Sequence, residues 1–299
     1  MSETFRCAVE CAARDEPMLG TASTVRNWLL LEHAGPWGRA PLRDARLPGG
    51  VGERLRREAR AWDVRVLFIR RPARRSDGSA RCFAIHSGPD EPWIERIELA
   101  RFENVGSIDL ERLGRGRRLG RGELHGGALF LVCTHGRRDP CCAERGRPLV
   151  KSLTNAYPTE TWEASHVGGD RFAGNLVAFP HGVYFGRVEP FDGPAIARAY
   201  LEGRLDLGHY RGRSCRSMRV QAAEHFLRGD QGLDRIEDVE LEDAAPSADT
   251  SFSARFRTIA GRFEVRLVRE PAAEGVRLTC HAEHDEHPPT YRLLAIDRL

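Results

Sequence analysis

The most constraining feature of this sequence is an order of apolar and punctuating segments that occurs twice. In the first half, Asn27–Glu32 (NWLLLE) is an apolar run of strand length, closed by a Gly/Pro stretch, HAGPWG. A helical pattern follows over Val51–Trp62, then strand patterns at Val64–Arg71 and Arg81–His86 around a turn at Pro72–Gly78. In the second half, Ala128–Cys133 (ALFLVC) is the apolar run and THGRRDPCC the loop after it. A helix is predicted over Glu144–Ala156, a strand over Thr161–His166, and a hairpin from Asn175–Pro180 and Gly182–Arg187. Two more helices are predicted, Phe191–Leu205 and Arg219–Leu227. The shared order points to an internal duplication, although the residues themselves match poorly between halves.

Strand, loop, helix, strand, hairpin, helix is a thioredoxin-like order, and both halves approach it. The fold class expected is therefore α+β, with two thioredoxin-like halves over residues 1–125 and 126–236 and a small antiparallel β extension over 252–299. Glu237–Ser251 is acidic and contains Ala, Ser and Pro, which predicts a linker. Beyond it, Phe252–Ile259, Arg262–Arg269, Val276–His281 and Thr290–Ile296 alternate in β fashion.

Composition excludes several classes of function. No run of 18 apolar residues occurs, so no transmembrane helix is expected. The start, MSETFRCAVECAARDEP, lacks the apolar core of a signal peptide, so a cytoplasmic protein is expected. A net charge of +3 is too small to imply nucleic-acid binding. Lys151 is the only lysine among the 46 basic residues, which removes most chemistry built on lysine, such as a Schiff base or a Walker-type phosphate loop. Arg112–Gly122 is rich in glycine, but the spacing is wrong for a dinucleotide site, and it reads as a basic loop. Eight cysteines in a cytosolic chain of 299 residues do not predict a disulfide framework.

The chemistry concentrates between Val132 and Asp170. Cys133 ends an apolar strand, where open α/β sheets place their reactive groups. Cys142 lies nine positions on, near a predicted helix start that favours the thiolate electrostatically. A second strand then ends in Ser165-His166-Val167-Gly168-Gly169-Asp170. The two glycines permit a tight turn and close approach to a cofactor. Two pairs of ligands on two strand-end loops suit a [2Fe–2S] cluster, which takes two ligands per iron. Arg137, Arg138 and Arg171 flank these loops and could bond to the sulfurs or form a docking surface for an acidic redox partner.

The sequence resembles the sucrase/ferredoxin-like family, whose members contain a thioredoxin-like [2Fe–2S] ferredoxin domain. The segments that carry the resemblance are CTHGRRDPCCAERGRP, WEASHVGGDRFAGNLVAFPHGVYFGR and YRGRSCRSMRVQAAEHFLRG, with FRCAVECAARDEPMLGTASTVRNWLLLEHAGPWG near the start. The fungal branch of the family uses two cysteines and two histidines as cluster ligands. The resemblance maps the cysteines onto Cys133 and Cys142, and the histidines onto His166 and Asp170. An aspartate thus stands where the second histidine would be. Asp170 is the first choice for the fourth ligand, ahead of Cys215, Cys141 and Cys7. The expectation is an electron carrier, not an enzyme in its own right, working with a redox partner protein. Two rivals stand beside it: a zinc-stabilised binding module using the same four residues, and a thiol-based redox enzyme using Cys142 as nucleophile.

Overall fold

The fold is that of a computed structural model, which describes residues 4–72, 80–246 and 251–299. Most of the turn expected at Pro72–Gly78 lies outside the described residues. The first half contains α1 (Cys7–Ala13), β1 (Asn27–Glu32), α2 (Pro41–Asp44), α3 (Val51–Ala61), β2 (Val64–Arg70), β3 (Ala80–His86), β4 (Trp93–Leu99), α4 (Leu110–Gly114) and β5 (Glu123–Leu124). The second contains β6 (Leu129–Cys133), α5 (Pro140–Ala156), β7 (Thr161–Ala164), β8 (Leu176–Phe179), β9 (Val183–Phe185), α6 (Gly193–Leu201), β10 (Tyr210–Arg213) and α7 (Met218–Gln231). The tail contributes β11 (Val239–Pro246), β12 (Ser251–Thr258), β13 (Gly261–Pro271) and β14 (Pro289–Arg298).

Strands β1 to β10 form one mixed sheet in the order β10-β9-β8-β6-β7-β2-β1-β3-β4-β5. The pairing repeats. β1 lies parallel to β2 and antiparallel to β3, which pairs with β4. β6 lies parallel to β7 and antiparallel to β8, which pairs with β9. The halves join where β2 meets β7 antiparallel, Ile69 opposite Ala164 and Arg70 opposite Glu163. Trp28–Leu31 and Leu129–Cys133 are buried because both faces of the sheet are covered, which is why these strands read as unbroken apolar runs. One core cluster crosses the junction, with Leu30 and Ile69 from the first half meeting Leu131, Cys133 and Trp162 from the second.

The structure changes three boundaries. The helix predicted from Glu144 begins at Pro140, because Asp139 accepts a hydrogen bond from the Cys141 amide (2.9 Å) and proline suits the first helical position. Cys141 and Cys142 therefore lie inside the first turn of α5. Val239–Pro246, expected within a linker, is strand β11 and pairs with β12. Val276–His281, expected as a strand, makes only an isolated bridge from Val276 to Glu286, so β11 takes its place in the four-stranded antiparallel sheet β11-β12-β13-β14. The alternating Phe252, Ala254 and Phe256 of β12 and Phe263, Val265 and Leu267 of β13 bury one face of this sheet against Val220, Ala223 and Leu227 of α7.

The basic stretch Arg112–Gly122 closes around Glu95, whose buried carboxylate accepts the amides of Leu119, Arg121 and Gly122 at 2.6 to 3.0 Å. Among the described residues, no helix is long and apolar enough to cross a membrane.

Candidate metal centre

The ends of β6 and β7 lie side by side, because the two strands are parallel and register Cys133 opposite Ala164. Cys133 closes β6, and its amide donates to the Asn175 carbonyl (3.1 Å). Helix α5 approaches this strand end closely at Gly146, where a Cβ atom would stand 2.1 Å from the Cys133 carbonyl oxygen. That approach sets Cys142 beside Cys133. His166 follows β7, and Asp170 opens a 3-10 turn, Asp170–Phe172. Between them Gly168 and Gly169 have φ of 104° and 80°, in the left-handed region that glycine adopts without strain.

Ligand atoms of Cys133, Cys142 and His166 all lie within 4.8 Å of one another. Asp170 joins them: its Oδ1 stands 2.9 Å from His166 Nδ1 and accepts from the Cys142 thiol at 3.1 Å. Both cysteines are 1% exposed, while the His166 side chain keeps 23% of its surface. The structure thus brings together the four residues named from sequence. Cys7 and Cys141 instead group with Cys280 and Asp139. Cys215 lines a different cavity of about 480 Å³, with Arg26, His181 and Arg213.

The electrostatics divide the four donors. A hydrogen bond from Cys142 holds the Cys133 thiol well below its usual range against the effect of burial. The same bond, with burial, pushes Cys142 well above it. Burial disfavours the His166 imidazolium, but Asp170 and then Cys133 outweigh it and raise the group to about 9. Burial pushes Asp170 up, and His166 pulls it below the usual carboxylate value. Despite its nearness to Asp170, His166 Nδ1 is buried without a hydrogen bond of proper direction. An undirected imidazole nitrogen facing two sulfurs and a carboxylate is a donor set that fits a thiophilic metal or an iron–sulfur group.

Several supporting residues were not visible from sequence. His135 Nδ1 accepts the His166 amide (3.2 Å) and its Nε2 reaches the Gly38 carbonyl (2.7 Å), partners that assign a neutral ring protonated at Nε2. Arg211, only 2% exposed, donates to the carbonyls of Thr21 (2.6 Å) and Gly168 (3.2 Å) and to Asn175 Oδ1 (2.7 Å). Asn175 Nδ2 donates in turn to the Gly169 carbonyl (2.8 Å), so the glycine turn is held from beneath. The only sequence signal was the polar Asn175 placed directly before an apolar strand. Of the flanking arginines, Arg171 is engaged with Glu16 (2.7 Å). Arg138 lines a cavity of about 320 Å³ with Arg39, Arg43, Arg56 and Arg65, and His166 lies on its wall.

The profile of the family described as sucrase/ferredoxin-like matches residues 18–212, more than half of the chain. The chain belongs to this family. The matched region takes in all four donors and ends before α7 and the four-stranded sheet. Among curated proteins, the chain is similar to altered inheritance of mitochondria protein 32 of Candida glabrata, 30% identical over 105 residues, covering 30% of this chain and 34% of that protein. It is also similar to the protein of that name from Meyerozyma guilliermondii, 35% identical over 95 residues, covering 28% and 34%. The chain spans about a third of the length of the curated relatives it matches. Among solved structures, two variants of the thioredoxin-like [2Fe–2S] ferredoxin from Aquifex aeolicus align at 22% identity with TM-scores of 0.23 and 0.24, covering 26% of this chain and 89% of theirs.

Proposed function

We propose that the chain binds one [2Fe–2S] cluster through Cys133, Cys142, His166 and Asp170 and serves as an electron carrier between redox proteins, in the cytoplasm. The observation that carries this reading is the convergence of two cysteines, an imidazole and a carboxylate on adjacent strand-end loops of a sucrase/ferredoxin-like chain. Such a cluster, when bound, takes up and returns a single electron. The rest is the work of this chain's residues. Arg211, Asn175 and His135 fix the backbone that presents His166. The buried thiols keep water from their side of the site. The partly exposed edge of His166 opens to the arginine-lined cavity, which suits an acidic redox partner. The repeated pairing of β1–β4 and β6–β9 supports reading both halves as thioredoxin-like and duplicated, with the donors kept in the second.

A carboxylate in place of a second imidazole leaves the site more negative, so the potential expected falls between the plant-type and Rieske-type ranges, roughly −400 to −150 mV. The test is the absorption spectrum of anaerobically purified protein, with iron and acid-labile sulfide assayed on the same sample. Bands in the visible with about two irons and two sulfides per chain support the reading. Asp170→His should then keep the cluster and raise its potential by on the order of 100 mV, since one anionic ligand becomes neutral. A protein that stays colourless after reconstitution with iron and sulfide would sink it. A second reading, one tetrahedral zinc ion in the same site, is favoured by the closeness of the three donors, all within 4.8 Å. The burial of Cys142 and its raised pKa do not favour a nucleophilic role.

A further inference from the structure

We propose that Cys7, Cys141, Cys280 and Asp139 form a second metal centre, separate from the one above, that holds a single zinc ion. Their ligand atoms all lie within 4.8 Å of one another. Cys280 Sγ stands 3.4 Å from Cys141 Sγ and 3.5 Å from Cys7 Sγ, and Cys7 Sγ stands 3.8 Å from both Asp139 oxygens. Tetrahedral zinc with bonds of about 2.3 Å to sulfur and 2.0 Å to oxygen sets its donors about 3.5 to 3.8 Å apart. Three of the six donor pairs stand at 3.4 to 3.8 Å and the others within 4.8 Å, close enough for small side-chain shifts to close on one ion.

The setting of Asp139 gives a second observation. The residue is 0% exposed. Its oxygens accept the amides of Cys141 (2.9 Å) and Cys280 (2.7 Å), and no ion pair reaches it among the described residues. Asp139 caps α5, so its carboxylate is held in place at a helix N-terminus with its remaining lone pairs toward the thiols. The groups around it are thiols, which bind a dication by giving up their protons. Each S–H bond that breaks sends its proton to solvent, and a Zn–S bond forms in its place.

The donors come from three remote parts of the chain. Cys7 opens α1, Cys141 lies in the first turn of α5, and Cys280 follows β13. Cys7 and Cys280 fall outside the family match over 18–212. An ion here would clip both ends of the described chain onto α5, one residue before Cys142. Three of the four donors are buried and Cys280 is partly buried, which suits a structural ion held by protein donors alone.

The test is metal analysis of the full chain produced in zinc-supplemented medium and dialysed against metal-free buffer. Wild type should retain one zinc in this site. Cys280→Ser and Cys7→Ser should lower zinc at least tenfold while iron and sulfide stay unchanged. Cys133→Ser should do the reverse. If the Cys133 site itself takes zinc, wild type holds two ions, and each variant loses a different one, so the two proposals fail separately. Should Cys280→Ser not fold, Cys280→His keeps a donor and should retain the ion. A wild type that holds no zinc in this site, zinc that survives Cys280→Ser but not Cys133→Ser, or a disulfide among the three cysteines found by peptide mapping would each overturn the proposal.

Discussion

β1 ends in Glu32 and leads into a Gly/Pro loop; β6, the matching strand of the second half, ends in Cys133 and leads through a loop to a helix whose first turn carries two more cysteines. Glu32 faces Ile69 across β1 and β2 as Cys133 faces Ala164 across β6 and β7. The longer helix of the first half, α3, opens Val51-Gly52-Glu53, and α5 of the second opens Pro140-Cys141-Cys142. One set of pairings therefore presents thiols in one half and none at the matching places of the other. The backbone supplies paired strand ends, and a few side chains decide whether metal chemistry happens there. The first half still touches the site. Gly38 accepts from His135, and Trp37 packs edge-on to the same ring at 5.9 Å. Across the junction, Arg70 pairs with Glu163 (2.6 Å), which also accepts from the Thr134 hydroxyl (2.7 Å).

The sharpest way to break the comparison is to remove a cysteine from each half. Cys133→Ala should lower bound iron to about a tenth of wild type or less. Cys82→Ala, in the buried middle of β3, should cost about 1 kcal/mol in a denaturant melt and leave iron unchanged. A second test concerns the histidines at the hairpin ends. Burial lowers His181 to about 4, where its Nδ1 lies 2.7 Å from the Tyr200 hydroxyl. Burial also lowers His86. Both rings fold neutral, so below about pH 6.5 the unfolded chain binds the extra proton and stability falls as pH drops toward 4. His181→Gln should remove up to about 3 kcal/mol of that acid-side loss, measured as melts across the pH range, and His86→Gln should remove less. A last pair of variants separates stability from cofactor. A Cβ at Gly146 would meet the Cys133 carbonyl at 2.1 Å, and one at Gly52 the Leu42 carbonyl at 2.3 Å. Alanine at either should cost about 2 kcal/mol, but only Gly146→Ala should lower bound iron.

The sequence was most legible where local pattern and burial agree. The apolar runs of β1 and β6, the β8–β9 hairpin and the alternation of β12 and β13 could be read directly. So could the clustering of Cys133, Cys142, His166 and Asp170, because all lie within one loop-helix-strand-loop unit. Legibility failed where a residue's partner is remote. Val239–Pro246 looked like a linker because it exposes most of its acidic side chains and is strand only by pairing with β12. Val276–His281 alternates like a strand yet, among the described residues, pairs only through one bridge. The early start of α5 is encoded in Asp139-Pro140, a cap and a first-turn proline, although the Gly, Arg and Cys residues around them carry no helical periodicity. Nothing local marks Arg211 as the support of the glycine turn, or brings Cys280 to Cys7.

The junction between β2 and β7 has a consequence for how the molecule is made. During synthesis β2 emerges long before β7, and until then Val64–Arg70 is a bare, mostly apolar sheet edge. Because the junction pairs matching strands antiparallel, a detached first half meets the same geometry in another copy of itself. Two such fragments side by side would rebuild the seam between molecules, so a nascent or truncated chain is exposed to self-association at this edge until its own second half arrives.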